Sequence, residues 1–212
     1  MSPPHAHLTE VAITPSRQGP PWLWAAKTPH KIVPVLDDRR RPPLTLRPFA
    51  DTPSRDFVPL ANNPAVARMT ARMPVPYLYR DAMQFKACLH PGIRRSENAF
   101  ALWWDKTCVG CVGFSAAEGH TELGYWIGEP YWGRGFATAG ARAVIAYGHQ
   151  RLGLTRWEAG YFLDNPASGR VLTKIGFRPS EENRRFSAGR CAITPHRSMI
   201  LEVKRPHTGA RP

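Results

Sequence analysis

The sequence predicts one mixed α/β domain over residues 43–205, a mostly antiparallel central sheet flanked by helices. Three observations carry this. Ala99–Trp104, Thr107–Phe114 and Thr121–Ile127 are strand-like runs separated only by Asp105–Lys106 and Ala117–His120, so they read as consecutive antiparallel strands. The third run feeds, through a glycine-containing turn, an alanine-rich helix from about Gly135 to Leu152. Asn165 followed by Pro166 has the form of an N-cap with proline at the first helical position, opening a second helix.

The other elements follow in chain order. Leu44–Arg47 is the expected first strand, and Ser54–Asn62 and Pro64–Thr70 suggest two short helices. Tyr79–Leu89 suggests a third, starting near Asp81. A strand is expected over 155–163. In the helix that Pro166 opens, Val171, Leu172 and Ile175 share one face, Gly176 stops it and Phe177 begins the next strand. A last strand falls at Ser198–Val203, and there is no internal repeat. Residues 1–42 are proline-rich and read as an extended or partly disordered lead-in, although Trp22–Ala26 is apolar enough to dock on a domain; 206–212 read as a flexible tail.

Composition narrows the function classes. Hydrophobic residues make up 42% of the chain, enough for a core, and no run approaches the ~20 apolar residues of a membrane helix. The N-terminal residues lack a signal-peptide pattern, so a cytoplasmic protein without membrane association is the expectation. Four cysteines define no disulfide framework. Cys108 and Cys111 form a Cys-x-x-Cys inside a strand, where odd spacing should put the thiols on opposite faces; buried free thiols are expected, and no metal site. Lys and Arg number 29 against 16 Asp and Glu, a formal charge of +13. Such a surface suits a ribosome, nucleic acid or a phosphate-rich ligand, and serves solubility equally. Monomer and homodimer both remain open.

The densest signal is Gly133-Arg134-Gly135-Phe136-Ala137-Thr138. Glycine lets backbone approach a ligand, and the free N–H groups and positive dipole end of the following helix suit a pyrophosphate. A plain glycine turn ahead of a packed helix is the simplest alternative. A dinucleotide turn is another, with Glu158 as ribose ligand, but Gly128–Trp132 separates the first glycine from the strand end.

Taken together, Trp132-Gly-Arg-Gly-Phe-Ala-Thr138, Asp164-Asn-Pro-Ala-Ser168 and Val171-Leu-Thr-Lys-Ile-Gly-Phe177 resemble the GNAT superfamily of N-acetyltransferases. The likeness runs from about Leu44 to Val203 and is greatest to the branch of ribosomal-protein N-terminal alanine acetyltransferases. One departure is Pro130, which has no N–H to offer where that turn often carries Gln or Arg.

The resemblance implies a sheet with two strands splayed around the pantetheine arm, acetyl-CoA as cosubstrate, and an amine acceptor such as a protein N-terminus or a small molecule. It implies the pyrophosphate at residues 133–138, backbone of Tyr125, Trp126 and Ile127 along the arm and thioester, Asn165 on a pantetheine amide, and Ser168 protonating the thiolate. A plain N-cap role for Asn165 and a plain first-turn role for Ser168 stand beside these. Glu122 is the implied general base, on one strand face with His120, Gly124 and Trp126; His120 is the alternative. Tyr77, Tyr79 and Trp104 are candidates to line the amine pocket or to pack in the core. Against this enzyme stand a catalytically silent acyl-CoA or RNA-associated module of the same fold and, more remotely, a dinucleotide oxidoreductase.

Overall fold

The computed structural model describes residues 43–89, 97–117 and 120–203. The lead-in, the tail and part of the Ala117–His120 turn lie outside them. One seven-stranded sheet organises the domain, with strand order β1-β2-β3-β4-β5-β7-β6. Its strands are β1 (Leu44–Pro48), β2 (Glu97–Trp104), β3 (Thr107–Ala117), β4 (His120–Ile127), β5 (Arg156–Phe162), β6 (Arg178–Ser187) and β7 (Ala192–Glu202). All neighbours are antiparallel except β4 and β5. The α-helices are α1 (Ser54–Ala61), α2 (Pro64–Ala67), α3 (Tyr79–Cys88), α4 (Phe136–Leu152) and α5 (Pro166–Ile175).

Helices cover both faces. One core joins β-sheet residues Phe100, Leu102, Val112, Leu123, Trp157 and Met199 to α4 and α5. The other joins Phe57, Val58, Val66, Met73 and Tyr77 to Ala101, Trp103, Cys108 and Cys111 on the opposite face. In α4 the small residues set the approach: the aromatic ring of Trp157, fully buried, lies where a Cβ on Gly148 would come within 2.6 Å of it. Gly153 and Gly176 end α4 and α5 in the left-handed conformation that favours glycine.

Three local expectations change. Helix α3 begins at Tyr79, ahead of Asp81, because the Asp81 carboxylate reaches back to accept the Leu78 N–H at 2.7 Å. Strands β6 and β7 are longer than their hydrophobicity suggests. β6, Arg-Pro-Ser-Glu-Glu-Asn-Arg-Arg-Phe-Ser, is the sheet edge and exposed along most of its length, so its polar sequence hides it.

Cys108 and Cys111 correct the parity expectation: both lie in the same core. The β2–β3 register slips between Leu102 and Trp103, pairing Leu102 with Gly110 and Trp103 with Cys108. That bulge inserts one residue between the thiols and cancels the alternation. Gly110 suits it, since a Cβ there would overlap the backbone of β4. Burial pushes the Cys108 thiol up to about 11, leaving it protonated and unreactive.

Gly148→Ala tests the α4–sheet approach. Helix propensity favours the change by about 1 kcal/mol, whereas overpacking a rigid buried ring costs about 1–3 kcal/mol. The overpacking is expected to win, lowering the urea midpoint with an unchanged slope.

Candidate active site

The site begins where β4 and β5 stop pairing. They run parallel, yet their register contains only Glu122 opposite Glu158. From there to Ile127 and Phe162 the two strands carry no further partners for one another, and their facing edges are open. On the α4 and α5 side, the first turn of α5 bridges the parted strands. Tyr125 Oη and Ser168 Oγ share a hydrogen bond of 2.8 Å. The Tyr161 ring lies against Gly169, where a Cβ would come within 2.8 Å of it. Burial, partly offset by the Ser168 hydrogen bond, raises the Tyr125 phenol to about 12, so it remains a neutral proton donor.

The glycine turn stands beyond the end of β4. Gly133 and Gly135 both have φ of 75°, left-handed positions that explain both glycines. Gly135 is the N-cap of α4 and offers no side-chain cap, and the first helical turn contains no acidic residue. The N–H groups of Phe136, Ala137 and Thr138 are therefore not capped by the preceding side chain. Phe136 is buried against Trp104, their centroids 5.7 Å apart, and the Arg134 guanidinium lies 5.3 Å from the Trp104 ring. This anchors the turn.

The predicted residues divide accordingly. Tyr125 and Trp126 lie on the parted strand. The Ile127 carbonyl accepts the Trp132 indole N–H at 2.7 Å, which fastens the loop to the end of the same strand. Asn165 caps α5, its Oδ1 accepting the Ser168 N–H at 3.2 Å. Trp104 does not line an amine pocket: it belongs to the α4 face, beside the glycine turn. Tyr77 is buried in the other core, with its phenol raised by burial to about 12. Tyr79 is exposed at the start of α3.

On the other face of the sheet, the expected alternation holds. A Cβ on Gly124 would meet nothing within 4 Å, leaving an open floor. On this face, at the end where Glu122 and Glu158 still pair, lies a depression of about 510 Å³ lined by Glu122, Glu158, Arg156, Arg185 and Ser198; Gly124 and His196 stand outside its lining. Arg185 reaches across β7 and β5 from the sheet edge to pair with Glu122, Nη1 to Oε1 2.5 Å. His120, the alternative base, is exposed and sits 3.2 Å from Glu158 Oε1, and Arg156 lies 3.5 Å from the same oxygen. Glu158 thus belongs to a surface ion cluster on the face away from α4, which corrects its placement as a ribose ligand beside the glycine turn.

Two groups escaped the sequence reading. His196 on β7 is buried; its Nδ1 lies 2.9 Å from Asn183 Oδ1, and its ring covers Gly160 so closely that a Cβ there would overlap it. No motif marks it, because its neighbours come from β5 and β6. The second is Asp164, just before the Asn165 cap. Arg190 grips both its oxygens at 2.8 and 2.9 Å, and Arg68 adds a contact of 3.3 Å. These tie the β6–β7 hairpin to the β5–α5 turn, while Ser187 Oγ donates to Thr70 O at 3.0 Å.

Residues 43–178 match the acetyltransferase (GNAT) domain family, and the chain belongs to that family. It is 36% identical over 126 residues to the uncharacterized N-acetyltransferase YoaA of Bacillus subtilis, an alignment covering 58% of this chain and 66% of that protein. The chain thus spans just under two thirds of that relative's length. The fold is similar to the microcin C7 self-immunity acetyltransferase MccE, solved with acetyl-CoA and AMP (TM-score 0.68, 18% identity, covering 83% of this chain and 98% of that one). It is also similar to Mycobacterium smegmatis RimJ, solved as a CoA-disulfide complex (TM-score 0.64, 22% identity, covering 76% and 82%). Among the described residues, no helix is long and apolar enough to cross a membrane, and no group of three metal-ligating side chains occurs.

The Asp164 clamp gives a pH-dependent prediction. The Arg190 hydrogen bonds, opposed next by burial and then reinforced by the charges of Arg190 and Arg68, hold Asp164 below the usual carboxylate range. Its stabilising contribution is present above the unfolded value of about 3.9 and lost as pH falls through the lower folded one. Asp164→Asn should raise hydrogen exchange in residues 187–191 at neutral pH and flatten the acid dependence of that exchange below pH 4.

Proposed function

We propose that this protein is an acetyl-CoA-dependent N-acetyltransferase acting on a primary amine by direct attack. The parting of β4 and β5 after Glu122 and Glu158 carries the reading. It offers an extended ligand open backbone edges on a path that continues to the left-handed glycine turn. The fit to acetyl-CoA rests on that edge and on the α4 N-terminus, which has neither a side-chain cap nor a first-turn acid to compete with phosphate. Arg134 adds positive charge there. The Asn165 side-chain NH2 is assigned to a pantetheine carbonyl, since its oxygen already caps α5.

The acceptor enters from the opposite face, over Gly124. Glu122, expected as the base, shares one oxygen with Arg185; among the described residues its Oε2 has no hydrogen-bond partner. We assign this carboxylate to drawing in and holding the ammonium group. The Tyr125–Ser168 pair supplies a proton to the departing thiolate. A protein N-terminal amine is the favoured acceptor class: the depression opens to solvent, and the fold is similar to RimL, a ribosomal L7/L12 alpha-N-protein acetyltransferase. The protein's basic charge makes a ribosomal substrate the natural first choice for testing.

Acetyl-CoA consumption should be measured with peptides bearing free N-termini, polyamines and amino acids; thiol release with none of them defeats the assignment. Gly135→Val forces a β-branched residue into a left-handed N-cap at the phosphate turn. It should weaken acetyl-CoA binding at least 10-fold in calorimetry while the domain stays folded. Glu122→Gln retains size and removes the charge. It should raise the acceptor KM 10-fold or more with acetyl-CoA affinity unchanged.

A further inference from the structure

On the acceptor face, the chemistry left unassigned is the buried imidazole of His196. We propose that His196 is the catalytic base of the acetyl transfer, taking the acceptor's proton on Nε2 while the Glu122–Arg185 pair anchors the ammonium. The proposal rests on the acetyl-transfer reading and deepens it.

Three features of the geometry lead there. The first is the tautomer. Asn183 Nδ2 donates to Ser198 Oγ at 3.0 Å, so Asn183 presents Oδ1 as acceptor to His196 Nδ1 at 2.9 Å. The neutral ring must then carry its proton on Nδ1 and its lone pair on Nε2. Among the described residues Nε2 has no hydrogen-bond partner. The second is position. Nε2 and its neighbouring ring carbon occupy the space above Gly160, and Phe162 supports the ring edge-on at a centroid distance of 5.7 Å. Gly160 lies on β5 past the last β4–β5 pair, as Gly124 does on β4. The parted strands are thus floored by two glycines, with His196 covering the β5 one and the Glu122–Arg185 pair beside them.

The third is protonation. Burial first, and the Arg185 charge second, hold the imidazole below its ordinary value, against a smaller upward pull from Glu122. Arg185 from β6 and Glu122 from β4 are the charged groups acting on it; β5 presents Gly160 and Phe162, and β7 contributes Ser198. A base kept neutral at pH 7 is ready to accept a proton, and imidazole is a closer match to an amine than a carboxylate is.

The step balances as follows. The ammonium gives one proton to Nε2, and its nitrogen lone pair forms the C–N bond to the thioester carbonyl. The C–S bond breaks, and the thiolate receives a proton from the Tyr125–Ser168 pair. The nitrogen's second proton replaces that one, and His196 later returns its own to solvent.

His196→Gln should lower kcat by about 10²–10⁴, leave the acceptor KM within a few-fold, and abolish the acidic limb that wild type shows below pH 6.5. Asn183→Leu should lower kcat less and displace that limb, without altering acetyl-CoA affinity. In 15N spectra of the full chain, His196 should be the Nδ1–H tautomer at pH 7 and titrate below 6.5. Transfer by wild type together with His196→Gln activity within 3-fold overturns the proposal alone, as does an Nε2–H tautomer. Should His196→Gln not fold, unchanged kinetics in Asn183→Leu overturn it. Absence of transfer by wild type to any amine overturns the acetyl-transfer reading and this proposal together.

Discussion

The parting of two parallel strands is the constraint on which the rest of this structure depends. A continuous sheet would pair β4 and β5 along their length and leave no polar edge for a ligand. Here pairing is confined to Glu122 and Glu158, and side chains pack against the parted strands from both sides. On one face, α5 touches both strands through Tyr125–Ser168 and Tyr161–Gly169. On the other, Arg185 and His196 reach in from β6 and β7. The gap is thus a packed feature, held open from above and below.

Strand alternation turns that gap into two chemical environments. Residues of odd number in β4, Leu123, Tyr125 and Ile127, face α4 and α5. Glu122 and Gly124 face the other side, where Glu122 lines the depression. In the proposed reaction a long phosphate-bearing ligand follows one route from the glycine turn into the gap, while the amine approaches from the opposite side, where the Glu122–Arg185 pair and His196 lie. The Glu122–Arg185 pair is more than a third exposed on both partners, so its contribution to stability is small. Its importance lies in where it places charge.

The β6–β7 hairpin completes the site without belonging to the local motifs. It contributes Arg185, Asn183 and His196, and it is fastened by Arg190 to Asp164 and by Ser187 to Thr70. The clamp joins the turn that precedes Asn165 to the loop following α2. Movements of the hairpin would therefore be felt at both the Glu122–Arg185 pair and the α5 cap.

Much of the fold was legible because its signals are local. The Asn165–Pro166 cap, the Gly176 stop, and the two glycines of the turn before α4 each express a backbone requirement that neighbouring residues satisfy on the spot. Alternating β4 residues likewise determined that Glu122 and Gly124 share a face. Tertiary structure decided what depends on register between distant strands. The β3 bulge put Cys108 and Cys111 together, the polar edge strand β6 ran longer than its hydrophobicity implies, and Trp104 went to the α4 face. The Arg185 partner of Glu122 and the Asn183–His196 bond are set by β6–β7 pairing, with Asn183 opposite His196, and by the sheet order that carries both across to β4. A side chain's local sequence dictates its strand face; which other strand it meets is set only when the sheet closes around the core.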